Sequence, residues 1–144
     1  MARRPVRGLR SGPFDRSACG SAPPSLLLEG IAQFNRAEFF EQHETLERLW
    51  RAERGDVRYL YQGILLVGVG CYHLSRGNRA GAIAKLRTGI GLLRWFEPMC
   101  QGVDVSRLVA DVGLLLAAVE RTTPADLGAI DRALYPRVWL ADGS

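Results

Sequence analysis

The sequence predicts an all-α protein, a compact bundle of about five to six helices built from helical hairpins around a central apolar helix. Apolar residues recur at helical spacing, as in Ile83, Leu86, Ile90 and Leu93, and again in Val105, Leu108, Val112, Leu115 and Val119. Gly55-Asp56, Gly77-Asn78 and Thr123-Pro124 punctuate those stretches with the residue types that end and begin helices. No segment shows the sustained alternation of a strand.

The first helix is expected over Leu26 to Asn35 with Ser25 as its cap, and a second from about Ala37 to Arg54, ended by Gly55. The third, Asp56 to Ser75, is apolar almost all round and is the central helix. Gly63, Gly68 and Gly70 remove side chains from it, which lets neighbouring helices approach closely. Gly77-Asn78 closes it and opens a fourth helix over Arg79 to Phe96, stopped by Pro98. Trp50 and Trp95, at helical spacing with other apolar groups, are expected core residues. Asp104 or Ser106 starts a fifth helix, and Thr123-Pro124 a short last one that ends before Pro136. Asn35-Arg36-Ala37 and Asn78-Arg79-Ala80 both stand at helix openings 43 residues apart, so the two hairpins are candidate copies of one unit.

The chain has 144 residues, 47% hydrophobic and 24% charged, which suits a single domain over 25–144 with a sizeable core. Its formal charge of +4 sits at the start. Residues 1–22 hold Arg3, Arg4, Arg7, Arg10 and Arg16 against Asp15, and basic and acidic residues balance in the remainder. Residues 1–24, rich in Arg, Pro and Gly, are expected to form a disordered tail. Nucleic acid is accordingly expected only through that tail. It has no apolar run of signal-peptide length. Cys19, Cys71 and Cys100 are odd in number and share no close spacing, which speaks against a disulfide framework or a Cys-based zinc site and for a reducing cytoplasm. The uncharged stretch Tyr59 to Leu74 rises about 24 Å as a helix, short of a hydrocarbon core of about 30 Å, so no membrane span is expected.

One stretch breaks the amphipathic pattern. Between Phe39 and Trp50, at about 100° per residue, His43 and Glu47 fall among Phe40, Leu46 and Trp50 on a face that should be apolar. A buried carboxylate or imidazole needs partners. A tight hairpin about Gly55 sets His43 opposite Val67, Glu47 beside Gln62 and Gly63, and His73 opposite Ala37. The expected polar cluster is His43, Glu47 and Gln62, with a hydrogen bond between the last two. Phe40, Trp50 and His73 complete the candidate binding residues. His43 and Glu47, four apart, are also the two ligands this helix can offer a divalent metal, and with Glu44 they are the candidate catalytic groups. His73 lies about 9 Å away along the axis, too far to share one ion with His43.

Phe34-Asn35, the run Phe39-Phe40-Glu41-Gln42-His43-Glu44, Glu47 and Trp50, Gln62-Gly63, Tyr72-His73-Leu74, Arg76-Gly77-Asn78 and Gly81-Ala82 together resemble the family catalogued as domain of unknown function 309 (DUF309), over about residues 25–120. The resemblance implies a small all-helical bundle of bacteria and archaea and brings no activity with it. Three functional readings follow from the residues. The leading one is a binding or interaction module organised by His43, Glu47 and Gln62, with self-association or a protein partner. The second is a metal-dependent, hydrolase-like enzyme with Glu44 or Glu47 as base and His43 as its partner or metal ligand. The third is an accessory nucleic-acid binder that uses the Arg-rich tail.

Overall fold

Residues 12–143 are described in the computed structural model of the chain. Five helices carry the fold: α1 (Ser25–Asn35), α2 (Phe39–Ala52), α3 (Arg58–Ser75), α4 (Arg79–Leu93) and α5 (Val105–Glu120). The all-α expectation holds, and α3 is the central helix. It lies between α2 and α4, with α1 beyond α2 and α5 beyond α4. Leu60, Ile64, Val67 and Cys71 on α3 are fully buried. Among the described residues no helix is long and apolar enough to cross a membrane.

The hairpins α1–α2 and α3–α4 are built alike. At the end of α1 the N–H of Ala37 donates to the carbonyl of Phe34 and that of Glu38 to Gln33. At the end of α3 Gly77 donates to Leu74 and Asn78 to His73. Ala37 and Gly77 both take left-handed backbone, at φ 60° and 77°, which turns the chain while satisfying the last helical carbonyls. The same 40-residue offset relates Gly30 to Gly70 and Leu46 to Leu86. A Cβ on Gly30 would stand 2.4 Å from Leu46 Cδ2, and one on Gly70 2.8 Å from Leu86 Cδ2. Each hairpin therefore closes by seating a leucine in a glycine notch. The copies match at 40 residues and not at 43, because the first Asn-Arg-Ala triplet ends α1 whereas the second begins α4.

Asn78, Asp104 and Thr123 cap their helices as their types predict. Asn78 Oδ1 accepts from the Gly81 N–H at 2.9 Å, Asp104 Oδ1 from Arg107 at 3.1 Å and Thr123 Oγ1 from Asp126 at 3.3 Å. Ser25 is the first residue of α1 and Pro24 holds the cap position, with no side-chain bond. The expected fourth helix ends in a 3-10 turn, Arg94–Phe96, and the expected last helix is two 3-10 segments, Pro124–Ala129 and Arg132–Leu134. A short antiparallel pair, β1 (Met99–Cys100) and β2 (Val103–Asp104), turns at Gln101-Gly102. Strands of two residues are too short for alternation to show. Tyr61 holds this turn to α3: its hydroxyl donates to Gln101 Oε1 at 2.7 Å, and burial pushes the phenol up to about 12.

The expected disordered tail takes defined structure from residue 12 onward, and its first eleven residues lie outside those described. Phe14 is buried, stacked on Tyr59 at 4.4 Å with Phe96 at 5.7 Å. The Asp15 N–H donates to Asp56 Oδ2 at 2.8 Å, and the Arg16 guanidinium donates to the Trp95 carbonyl. Cys19 and Cys100 form a disulfide, and the Gln101 N–H donates to the Cys19 carbonyl at 2.7 Å. This corrects the expectation drawn from cysteine number and spacing, and the reducing compartment inferred from it loses that support. An average over composition misses what one aromatic ring and one half-cystine do to a short segment. Trp95 is exposed and lies over Gly12, outside the core, whereas Cys71 is a free, fully buried thiol.

The repeat makes a reciprocal prediction. Gly77→Ala puts a Cβ at a left-handed φ and is expected to cost about 1 kcal/mol, while Ala37→Gly relieves one and should gain about 0.5 kcal/mol. Opposite shifts of the urea midpoint at an unchanged slope would show this. The disulfide joins residues 81 apart, so Cys19→Ser should destabilise the protein by about 2–4 kcal/mol. Dithiothreitol should lower the melting temperature of the wild type by a matching amount and leave that of Cys19→Ser unchanged.

Candidate functional site

The orientation of α2 decides where the candidate residues go. Its buried face is Phe39, Gln42, Thr45, Leu46 and Leu49, a stripe with spacings of three and four. Gln42, a polar residue, lies at the centre of that stripe and is completely buried. Its Nε2 donates to the Leu65 carbonyl of α3 at 3.2 Å, and the missing side chain of Gly68 makes room for its amide. The expected antiparallel register of α2 on α3 is thus present, but the face is rotated away from Phe40 and Trp50. Phe40 is 60% exposed. His43 and Glu47 line the rim, with side chains 42% and 33% exposed.

On that rim Glu47 joins two partners from its own helix. His43 Nε2 lies 3.3 Å from Glu47 Oε2, and Arg51 Nη2 donates to Glu47 Oε1. No Glu47–Gln62 hydrogen bond forms. Gln62 instead has its Oε1 buried without a partner, and so have Trp50 Nε1 and Arg58 Nε nearby at the same seam of α2 and α3. The Arg58 guanidinium lies over the Trp50 and Tyr59 rings, 5.8 and 5.0 Å from their centroids, and its Nη2 donates to Tyr59 Oη at 3.0 Å. Glu44 is exposed on the outer side of α2. His43 and Glu47 still offer two ligands, but among the described residues no group of three or more His, Cys, Asp or Glu is placed to hold a metal ion. His73 is not brought to this cluster. It buttresses a helix cap, its Nδ1 3.2 Å from Asn78 Nδ2 while the Asn78 oxygen caps α4.

Phe40 opens onto a cleft of about 410 Å³, shared with Tyr72, Glu41, Arg76 and Arg132. Tyr72 is itself 39% exposed. A second cleft of about 230 Å³ adjoins it through Ala37, Phe39 and Arg132 and adds Tyr135 and Arg137. The far wall of this second cleft is the extended segment after Leu134. Asn35 holds that segment as a neighbouring strand would: Nδ2 donates to the Val138 carbonyl at 2.9 Å and Oδ1 accepts from the Val138 N–H at 2.8 Å. Arg132, Tyr135 and Arg137 line these clefts, with Trp139 following on the same segment, and none of the four is among the residues expected from the sequence. A signal for them exists, since buried Pro136 and Val138 alternate with the outward Tyr135, Arg137 and Trp139, the period of an extended chain lying on a core.

Because Glu47 bridges His43 and Arg51 on a half-exposed rim, Glu47→Gln is expected to change stability by no more than about 0.5 kcal/mol. A thermal melt checks it, and a much larger loss would mean that the carboxylate meets a demand other than these two pairs.

The geometry can be set beside known proteins. No curated protein matches the chain. The model of the family described as Domain of unknown function (DUF309) matches residues 27–84, a span that holds nearly all of α1, the whole of α2 and α3 and the first turn of α4. It includes Phe40, His43, Glu47, Trp50, Gln62 and His73, and it stops short of the stretch to residue 120 over which the resemblance was traced. Over residues 27–84 the chain is thus similar to the DUF309 family.

Proposed function

We propose that this chain is a binding module and that it meets a macromolecular partner along the outer edge of α2 and α3, from Phe40 and Tyr72 at one end to Trp50 and Gln62 at the other. The observation that carries the reading is Phe40. Burying a phenylalanine side chain is worth about 1.5–3 kcal/mol, yet α2 buries Gln42 and leaves Phe40 60% exposed beside a second exposed ring. Exposed aromatics grouped on a cleft are a surface for a partner. The arrangement favours binding over catalysis, since Glu47 is shared between His43 and Arg51 and Glu44 is exposed on the outer side of α2.

Photo-crosslinking in cells tests this directly. A benzophenone amino acid in place of Phe40 should give discrete adducts under illumination, whereas the same group in place of Ala84, an exposed residue on α4, should give none. Equal labelling from both positions, or none from position 40, would overturn the reading.

A further inference from the structure

We infer that the partner is a single-stranded nucleic acid, seated across the clefts that flank residues 132–139; the inference rests on the binding-module reading, with which it shares the Phe40 and Tyr72 end of the face, and names the partner that meets it there. Three observations lead to it.

The first is a row of guanidinium groups held on aromatic rings. Arg76 lies over Tyr72 at 5.9 Å, Arg132 over Tyr135 at 5.3 Å, and Arg107 and Arg137 over Trp139 at 4.0 and 5.1 Å. Stacking on a ring fixes the plane of a guanidinium while its N–H edge stays available to an anion.

The second is that these charges are unspent. Among the described residues none of the four arginines is in an ion pair with a carboxylate, in contrast to Arg36, Arg51 and Arg87. Glu38, which lines the Phe40 cleft, is already neutralised by Arg36 at 3.0 Å. Only Glu41 and Asp111 remain beside the four cations on the cleft walls. Overall neutrality beyond the first 22 residues thus conceals a local excess of positive charge.

The third is continuity. Arg132 lines both clefts near Phe40, and Arg137 and Tyr135 carry the surface on into a third cleft of about 250 Å³ with Arg107 and Trp139. A strand of phosphates can follow that path, with bases stacking on the open faces of Phe40 and Tyr72 and on the guanidinium planes. A duplex cannot present its bases to those rings.

The test uses the full-length chain and fluorescein-labelled single-stranded oligouridylate, read by anisotropy, with a duplex of equal length and a poly-glutamate peptide as competitors. The single strand is expected to bind more tightly than the duplex. Phe40→Ala, which leaves the charge unchanged, should weaken it about tenfold. Arg132→Gln with Arg137→Gln should weaken it and lower the slope of log affinity against log salt by about 1.4. Arg94→Gln, exposed at the end of α4, should change neither. All variants should keep the wild-type melting temperature. Equal binding of duplex and single strand that ignores Phe40→Ala would overturn the inference in favour of simple charge attraction, and displacement by poly-glutamate as effective as by unlabelled strand would assign the face to an acidic peptide. If the wild type binds no single strand while crosslinks still form at position 40, the nucleic acid falls and the binding face stands; if neither is seen, both fall.

Discussion

Two glycine notches fix the rotation of α2, and the rest of the molecule follows from that. Leu46 seats against Gly30 of α1, and the Gln42 amide against Gly68 of α3. These residues lie one turn apart on the same face of α2, so together they lock that face against α1 and α3 at once. Turning α2 far enough to bury His43 and Glu47 would draw both side chains out of their notches and leave two gaps in a close-packed interior. A charged rim and an exposed Phe40 are therefore consequences of how the hairpins close. On the other side of α3 the backbones themselves come near contact: a Cβ on Gly89 would lie 3.1 Å from the Gly63 carbonyl. The central helix is gripped on both flanks at positions that carry no side chain.

This explains which features could be read in advance. Helix order, the capping residues Asn78, Asp104 and Thr123, the central place of α3 and the register of α2 on α3 all rest on local patterns, and each shows in the chain. The rotation of α2 does not, because its buried stripe has a glutamine in the middle and adjacent phenylalanines pull the apparent face toward Phe40. The 40-residue repeat is hidden for a similar reason. Its equivalences, Ala37 with Gly77 and Gly30 with Gly70, are matches of backbone shape and space with little identity of side chain, whereas the repeated Asn-Arg-Ala triplet is identical in letters and different in place. Residues 12–24 were obscured by composition, since the pairing of Cys19 with Cys100 depends on contacts that span most of the chain.

Asn35 connects the helical core to the candidate surface. Its side-chain amide offers both a donor and an acceptor, and it spends both on Val138, while the Trp139 carbonyl accepts from the Asp104 N–H at 2.9 Å. A chain segment with no helix of its own is thereby laid over the α1–α2 turn, with Val138 fully buried beneath it. The outward residues of that segment inherit their direction from this pairing. Asn35 thereby positions the backbone of that segment.

The arginines sort by what they touch. Arg79 is structural: from the start of α4 its guanidinium donates to the carbonyls of Val119, Glu120 and Thr122 at the end of α5, where positive charge also meets the negative end of the helix dipole. Arg36, Arg51 and Arg87 are matched by carboxylates. Four of the arginines that remain stand together. Arg76, Arg107, Arg132 and Arg137 all fall on the walls of adjoining clefts and, with Arg58, stack on aromatic rings. An arginine that only kept the protein in solution would have no need of an ordered plane, and losing the freedom of that side chain costs up to about 2 kcal/mol. Holding four such groups over rings along adjoining clefts is a cost that folding alone does not require, and the anionic partner inferred above would offset it.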